Sequence, residues 1–159
     1  MNIIPKQPAG TVDKLLRCNE VTSRFGLSLS IAEARALAET QSRALKTSER
    51  VAFTSGFMED LIMAFCDSPY INQDDYAEIM AELTTLFYDF KNETLDEIDD
   101  AEAIALMKKL FDTVCEGSLD RLREYALPIV TRRIRFGLPP EPVIDENAVI
   151  LEEEYDQDQ

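Results

Sequence analysis

Histidine and tryptophan are missing altogether from the 159 residues. Without histidine, serine–histidine and cysteine–histidine nucleophile pairs cannot be assembled. Cys/His zinc sites and di-iron sites that take histidine ligands are excluded for the same reason. What chemistry is left must use carboxylates, lysine, tyrosine or a hard metal ion. Cysteine is scarce too: Cys18, Cys66 and Cys115 are far apart, odd in number and without a C-x-x-C spacing. They read as small apolar side chains buried in a reducing compartment. Only five glycines and seven prolines are present, with Pro5, Pro8, Pro140 and Pro142 near the ends. So turn-poor a middle favours helices over many short strands. No apolar run approaches the roughly 18 residues of a membrane span. The opening Met1 to Gly10 has neither the basic nor the apolar region of a signal peptide. A cytoplasmic protein that engages no membrane is therefore expected.

What is there reads as one globular body. Hydrophobic residues make up 45% and charged residues 30% of the chain, which is too apolar for wholesale disorder. A chain of this length buries roughly 70% of its unfolded surface, enough for a core without staples. The predicted organisation is an irregular arm over 1–10, a single helical domain over 11–137 and a Pro-containing acidic tail over 138–159. The fold class is all-α, an irregular bundle of six or seven helices with a flexible tail.

Apolar spacing supplies the helices. Thr11 precedes a helix that Gly26 is placed to end. Ser30-Ile31-Ala32-Glu33 is a capping box, and Ile31, Ala34, Leu37, Ala38 and Leu45 follow on one face. Arg50-Val51-Ala52-Phe53 leans towards an extended segment, either a connection or half of a small hairpin. Phe57, Met58, Leu61, Ile62 and Phe65 carry a third helix, which stops before Pro69. Its end, Cys66-Asp67-Ser68-Pro69, reads as a turn in which Asp67 or Ser68 bonds backbone amides. The longest helix opens near Asn72 with Tyr76, Ile79, Met80, Leu83, Leu86, Phe87 and Phe90 as a broad stripe. That stripe is the predicted centre of the core. Asp99 and Asp100 can cap the next helix, which carries Ile104, Met107, Leu110, Phe111 and Val114 and ends by Gly117. Pro128 predicts either a kink or two short helices in the segment from Ser118 to Gly137.

Charge narrows the partners. The formal net charge is −15, and the tail alone carries Glu141, Asp145, Glu146, Glu152, Glu153, Glu154, Asp156 and Asp158 without a base. Phosphate backbones repel such a surface, so nucleic-acid binding is not expected. One segment runs the other way, where Arg121, Arg123, Arg132, Arg133 and Arg135 face only Asp120 and Glu124. Stems packed on the helix with heads paired to local acids account for most such arginines. The sharper reading makes Arg121, Arg132, Arg133 and Arg135 a seat for an anion or for the acidic tail, with Val149-Ile150-Leu151 as an apolar anchor.

Catalytic residues do not emerge, and no cofactor is predicted. The one enzyme candidate is a magnesium site of helical carboxylates, because magnesium is held by one or two carboxylates with substrate phosphates. Glu78, Glu82, Glu93 and Asp96 are its members. The pairs Asp75-Tyr76-Ala77-Glu78 and Glu93-Thr94-Leu95-Asp96 are similar to the paired motifs of all-helical nucleotide pyrophosphohydrolases of the MazG and dimeric dUTPase type. Aspartate replaces the first glutamate here. At about 100° per residue, Asp75, Glu82, Glu93 and Asp96 project well away from the centre of the apolar stripe, as on a solvated flank. The leading function is thus a non-enzymatic interaction or accessory protein, with another protein as partner. It would act through a helical face, the arginines or the tail. The alternative is a magnesium-dependent nucleotide pyrophosphohydrolase. Oligomeric state is open.

Three phrases carry a family likeness: Phe65-Cys66-Asp67-Ser68-Pro69-Tyr70, Leu86 through Asp96, and Arg133-Ile134-Arg135-Phe136-Gly137. Over about residues 20–138 the chain resembles a family of small acidic bacterial proteins of uncharacterised function. The resemblance implies a bacterial cytoplasmic origin and brings no activity, ligand or site residue.

Overall fold

Ser30 and Glu33 cap one another as their spacing predicts. The Ser30 hydroxyl accepts from the Glu33 amide at 3.0 Å, and the Glu33 carboxylate accepts from the Ser30 amide at 2.9 Å. The helix they start, α3, is preceded by α1 (Ala9–Arg17), α2 (Asn19–Thr22) and a 3-10 turn over Ser23–Phe25. α3 itself spans Ile31–Thr47, followed by α4 (Phe57–Phe65), α5 (Tyr76–Glu93) and α6 (Asp100–Asp112). The computed structural model describes residues 9–50, 56–144 and 150–151. The extended segment expected near 50–53 therefore lies almost wholly outside the described residues, as do most of the arm and most of the tail. The fold is all-α, and no helix among the described residues is long and apolar enough to cross a membrane.

The chain divides into two compact units, Met1–Asp89 and Phe90–Gln159. In the first, α1 packs on α3 and α4, and Leu15, Leu37, Leu61, Ile62, Phe65, Tyr76, Met80, Leu83 and Phe87 are fully buried. Phe57, Phe87 and Tyr88 form an aromatic cluster, with the Phe57 and Phe87 rings 4.3 Å apart. Such ring pairs add about 0.5–1.5 kcal/mol beyond the area they bury. The stripe from Tyr76 to Phe90 is buried at every position expected of it.

In the second unit, Asp99 caps α6 by accepting from the Glu102 amide at 2.8 Å. Ile98, Ala103, Met107, Leu110, Phe111, Val114, Leu122, Ala126 and Val130 fill the interior. α7 (Leu119–Arg121) runs into a π-helical segment, Leu122–Ala126, and on into α8 (Leu127–Arg135). Backbone angles stay helical through both junctions, so Pro128 neither breaks this rod nor divides it. A proline within an α-helix collides with the carbonyl four residues back and leaves it without a donor. The wider π turn just before Pro128 absorbs that mismatch. Beyond α8, two-residue strands β1 (Val143–Ile144) and β2 (Ile150–Leu151) pair antiparallel.

Candidate functional site

Several helix ends in this chain share one device, and two of them, after α3 at Glu49 and after α5 at Leu95, break its usual rule. At the end of α5 the Asp96 amide donates to the Lys91 carbonyl at 2.9 Å and the Leu95 amide to that of Asn92 at 3.1 Å. This is a Schellman cap, whose penultimate residue must be left-handed and is normally glycine. Gly26 and Gly137 fill that place in two other caps of the same pattern, at φ 81° and 76°. At α5 the place is taken by Leu95 at φ 55°, with Asp96 following at φ 60°. A left-handed non-glycine residue costs about 1–2 kcal/mol.

The Leu95 side chain gains little packing in return. It is 69% exposed, more than any other large apolar side chain among the described residues. Two cations hold the turn beneath it. Lys91 is only 5% exposed. Its ammonium donates to the Ile98 carbonyl, lies 2.9 Å from the Asp100 carboxylate and stands 3.7 Å from that of Asp96. The stem of a buried lysine packs as an apolar chain, while its head ties the two ends of the turn together. From α8, the Nε of Arg135 donates to the Glu93 carbonyl at 2.7 Å, an otherwise unfilled helix-end acceptor. The next residue, Phe136, is 57% exposed. The turn thus presents Leu95 to solvent, with Glu93, Asp96, Glu97, Asp99, Asp100 and Glu102 exposed along the same stretch of chain.

The arginines expected to form a seat are mostly engaged within the protein. Arg133 is 4% exposed, and its Nε donates to the Pro139 carbonyl at 3.0 Å. Arg135 is committed to Glu93, and Arg123 pairs with Asp120 at 3.0 Å. The Nε of Arg121 donates to the Val114 carbonyl at 3.2 Å, and its guanidinium carbon lies 5.1 Å from the centre of the Tyr125 ring. Arg132 is exposed. Of the tail, Glu141 pairs with Lys109 rather than with an arginine. Ile150 of the predicted anchor is buried, and its amide donates to the Tyr125 hydroxyl at 3.2 Å. The acids of the tail beyond Glu141 lie outside the described residues.

Of the four candidate metal ligands, two belong to each unit. Glu78 and Glu82 stand one turn apart on α5 within the first unit, Glu78 exposed and Glu82 half-buried. In the second unit Asp96 faces Lys91, and Glu93 lies 4.0 Å from the Arg135 guanidinium. Among the described residues no three acidic or cysteine side chains form a group able to hold a metal ion.

The three cysteines and Tyr76 are sealed in the core. All three cysteines are free thiols and buried. Burial pushes the Cys18 thiol up to about 11, with Glu59 and Cys66 acting in the same direction. Cys115 is pushed up to about 11 by burial, against a smaller opposing pull from Arg121. Burial raises the Tyr76 phenol to about 12, tempered by the Thr22 hydroxyl and reinforced by Cys18 and Cys66. Cys18, Cys115 and Tyr76 are therefore not poised as nucleophiles or bases near neutral pH. At the corner after α4, the Ser68 hydroxyl accepts from the Tyr70 amide at 3.2 Å, the local turn bond expected there.

Sequence reasoning missed Leu95, Lys91 and Tyr125. The one available signal was a helix end at residue 94 with no glycine to close it. A model of a Family of unknown function (DUF6323) matches residues 14–140. No curated protein and no solved structure matches.

Proposed function

The chain belongs to this family of unknown function, and we propose that it works as a non-enzymatic interaction protein through the turn at Leu95. The observation that carries the reading is Leu95 itself, held left-handed at φ 55° and 69% exposed. Strain kept in a rigidly tied turn, without packing to repay it, is characteristic of a residue positioned for contact. The exposed acids along the turn favour a partner segment whose apolar side chain is flanked by lysine or arginine. A rigid apolar knob in a charged rim is also the arrangement of interface hot spots.

Capture of partners from the native host by tagged protein tests this, comparing wild type with Leu95→Gly and Leu95→Glu. Leu95→Gly should stabilise the fold by about 1 kcal/mol by removing the left-handed penalty. It should nevertheless lose the partner, so the loss is not one of folding. Glu49→Gly is the control, because Glu49 is left-handed at φ 60° in the same kind of cap. It should gain stability and keep the partner. Equal capture by all four proteins would remove Leu95 from the function. Millimolar magnesium, with or without nucleotides, should leave the melting temperature unmoved. A rise would favour the hydrolase reading instead, since a ligand of the folded state must stabilise it.

A further inference from the structure

Helix α3 in the first unit carries a face whose charge runs against that of the molecule. At about 100° per residue, Ile31, Arg35, Glu39 and Lys46 fall within an arc of about 80°, with Arg43 at its edge. All five are exposed, and the opposite side of the helix buries Ala34, Leu37, Ala38 and Ala44. Three bases there stand against one acid, in a chain of 16 bases against 31 acids. The other acid of α3, Glu33, is held in the capping box. Among the described residues neither Arg35 nor Lys46 forms an ion pair, and Arg43 donates to the Thr40 hydroxyl at 3.3 Å. In the second unit Lys91, Lys109, Arg123 and Arg135 each lie against a carboxylate instead. Ile31 is 55% exposed at the start of the α3 face, with Arg35 one turn on.

The Leu95 turn in the second unit is the converse. From Lys91 to Glu102 the chain holds six acids and one base. Arg135 adds a second cation, which still leaves the acids in clear excess. Glu97 and Glu102 form no ion pair among the described residues. An exposed leucine in an acidic rim thus has its complement in an exposed isoleucine beside unpaired cations. Complementary potentials of this kind select a partner and suppress like-charged alternatives. Two copies at −15 each repel one another over most of their surfaces, and a contact between the α3 face and the turn reverses that repulsion locally.

We propose that the partner of the Leu95 turn is a second copy of this chain, whose α3 face receives Leu95 against Ile31 and sets Arg35 and Lys46 towards the acids of the turn. The proposal rests on the role given to Leu95 and names its partner. Each copy carries both halves, so the contact closes reciprocally in a pair or runs head to tail. One apolar contact with solvent-screened ion pairs around it is weak, which places self-association in the micromolar to millimolar range.

Sedimentation velocity of the full-length protein tests this, in about 0.1 M salt, where the Debye length of about 10 Å screens the net charge but not charges in contact. The mean mass of wild type should rise with concentration. Leu95→Gly, which removes the exposed side chain, and the double variant Ile31→Ala with Arg35→Ala should each weaken association at least tenfold. Both changes fall on exposed positions, so helical circular dichroism should be kept. An equal mixture of the two variants should form a one-to-one heterodimer, because one supplies an intact α3 face and the other an intact turn. Wild type that stays monomeric up to millimolar concentration overturns the proposal, as does association that survives in either variant, or a mixture that gives no heterodimer. If wild type is monomeric while Leu95→Gly still loses a host protein, the second copy is overturned and the role of Leu95 stands.

Discussion

Among single residues, the sealed core groups make the firmest statement about solution behaviour. Cys18 and Cys115 are held up at about 11 against an ordinary 9.0, and Tyr76 at about 12 against 10.0. In each case burial disfavours the charged form, so the folded protein keeps a proton that the unfolded chain gives up. The unfolded state binds fewer protons above the ordinary values, and stability must fall as pH rises through that window. The contribution is fully present below about pH 9. It is lost progressively between about 9 and 12, where the folded groups titrate. Urea denaturation at pH 8, 9, 10 and 11 should show the midpoint falling above 9. Cys18→Ala with Cys115→Ala should flatten the first part of that fall. A wild-type midpoint constant from pH 9 to 11 would contradict the assignment. Leu95 teaches the opposite lesson at this scale. Its side chain is an unremarkable leucine by composition, and only its backbone angle and exposure single it out. No spacing rule reveals either, because a Schellman cap closes on backbone hydrogen bonds that any residue can supply.

Helices and their ends follow local chemistry closely. Ser30 and Glu33 form the capping box that their spacing promises, and Asp99 caps α6. Ser30→Ala removes the acceptor for the Glu33 amide. It should lower the stability of the protein by about 1 kcal/mol, seen as a lower urea midpoint. No change in midpoint would mean that α3 is held by packing alone. The α5 stripe was legible for a related reason, since residues three and four apart must share a face. The rod from Leu119 to Arg135 was legible only in part. Pro128 is a helix breaker by its own sterics, yet the chain passes it by widening the preceding turn over Leu122–Ala126. Leu122, Ala126, Leu127 and Val130 on either side of the junction are all buried. Tertiary packing therefore selects the π turn over a break. Lys91 shows the same limit. In sequence it is one charge in an acidic stretch; in the fold it is the buried tie of the turn after α5.

Across the whole molecule, charge dominates. A net −15 is spread over 159 residues, and like charges at that density repel within the folded state. Exposed pairs such as Arg123–Asp120 return little, because solvent screens them. Raising ionic strength from 0.01 to 0.1 M shortens the Debye length from about 30 Å to about 10 Å. The melting temperature should therefore rise over that range. A steady fall would mean that attractive pairs outweigh the repulsion. The same salt should weaken any basic partner held by the acids near Leu95.

The sequence by itself determined the all-α class, the capped helix starts after Ser30 and Asp99, the core stripe from Tyr76 to Phe90 and the family to which the chain belongs. Each of these rests on contacts between residues close in sequence, or on periodicity that a single helix imposes. It left two other starts misplaced, since the first helix starts at Ala9 and not after Thr11, and the longest at Tyr76 and not near Asn72. It also determined what chemistry is impossible, because an absent histidine stays absent in every fold. Only the tertiary structure decided where the charges go. It took Arg133 and Lys91 out of solvent and turned Arg135 onto Glu93. It also exposed Leu95 and placed Ile150 against Tyr125. Those outcomes depend on which side chains meet across the chain, and burial and hydrogen bonding fix that only once the helices have packed.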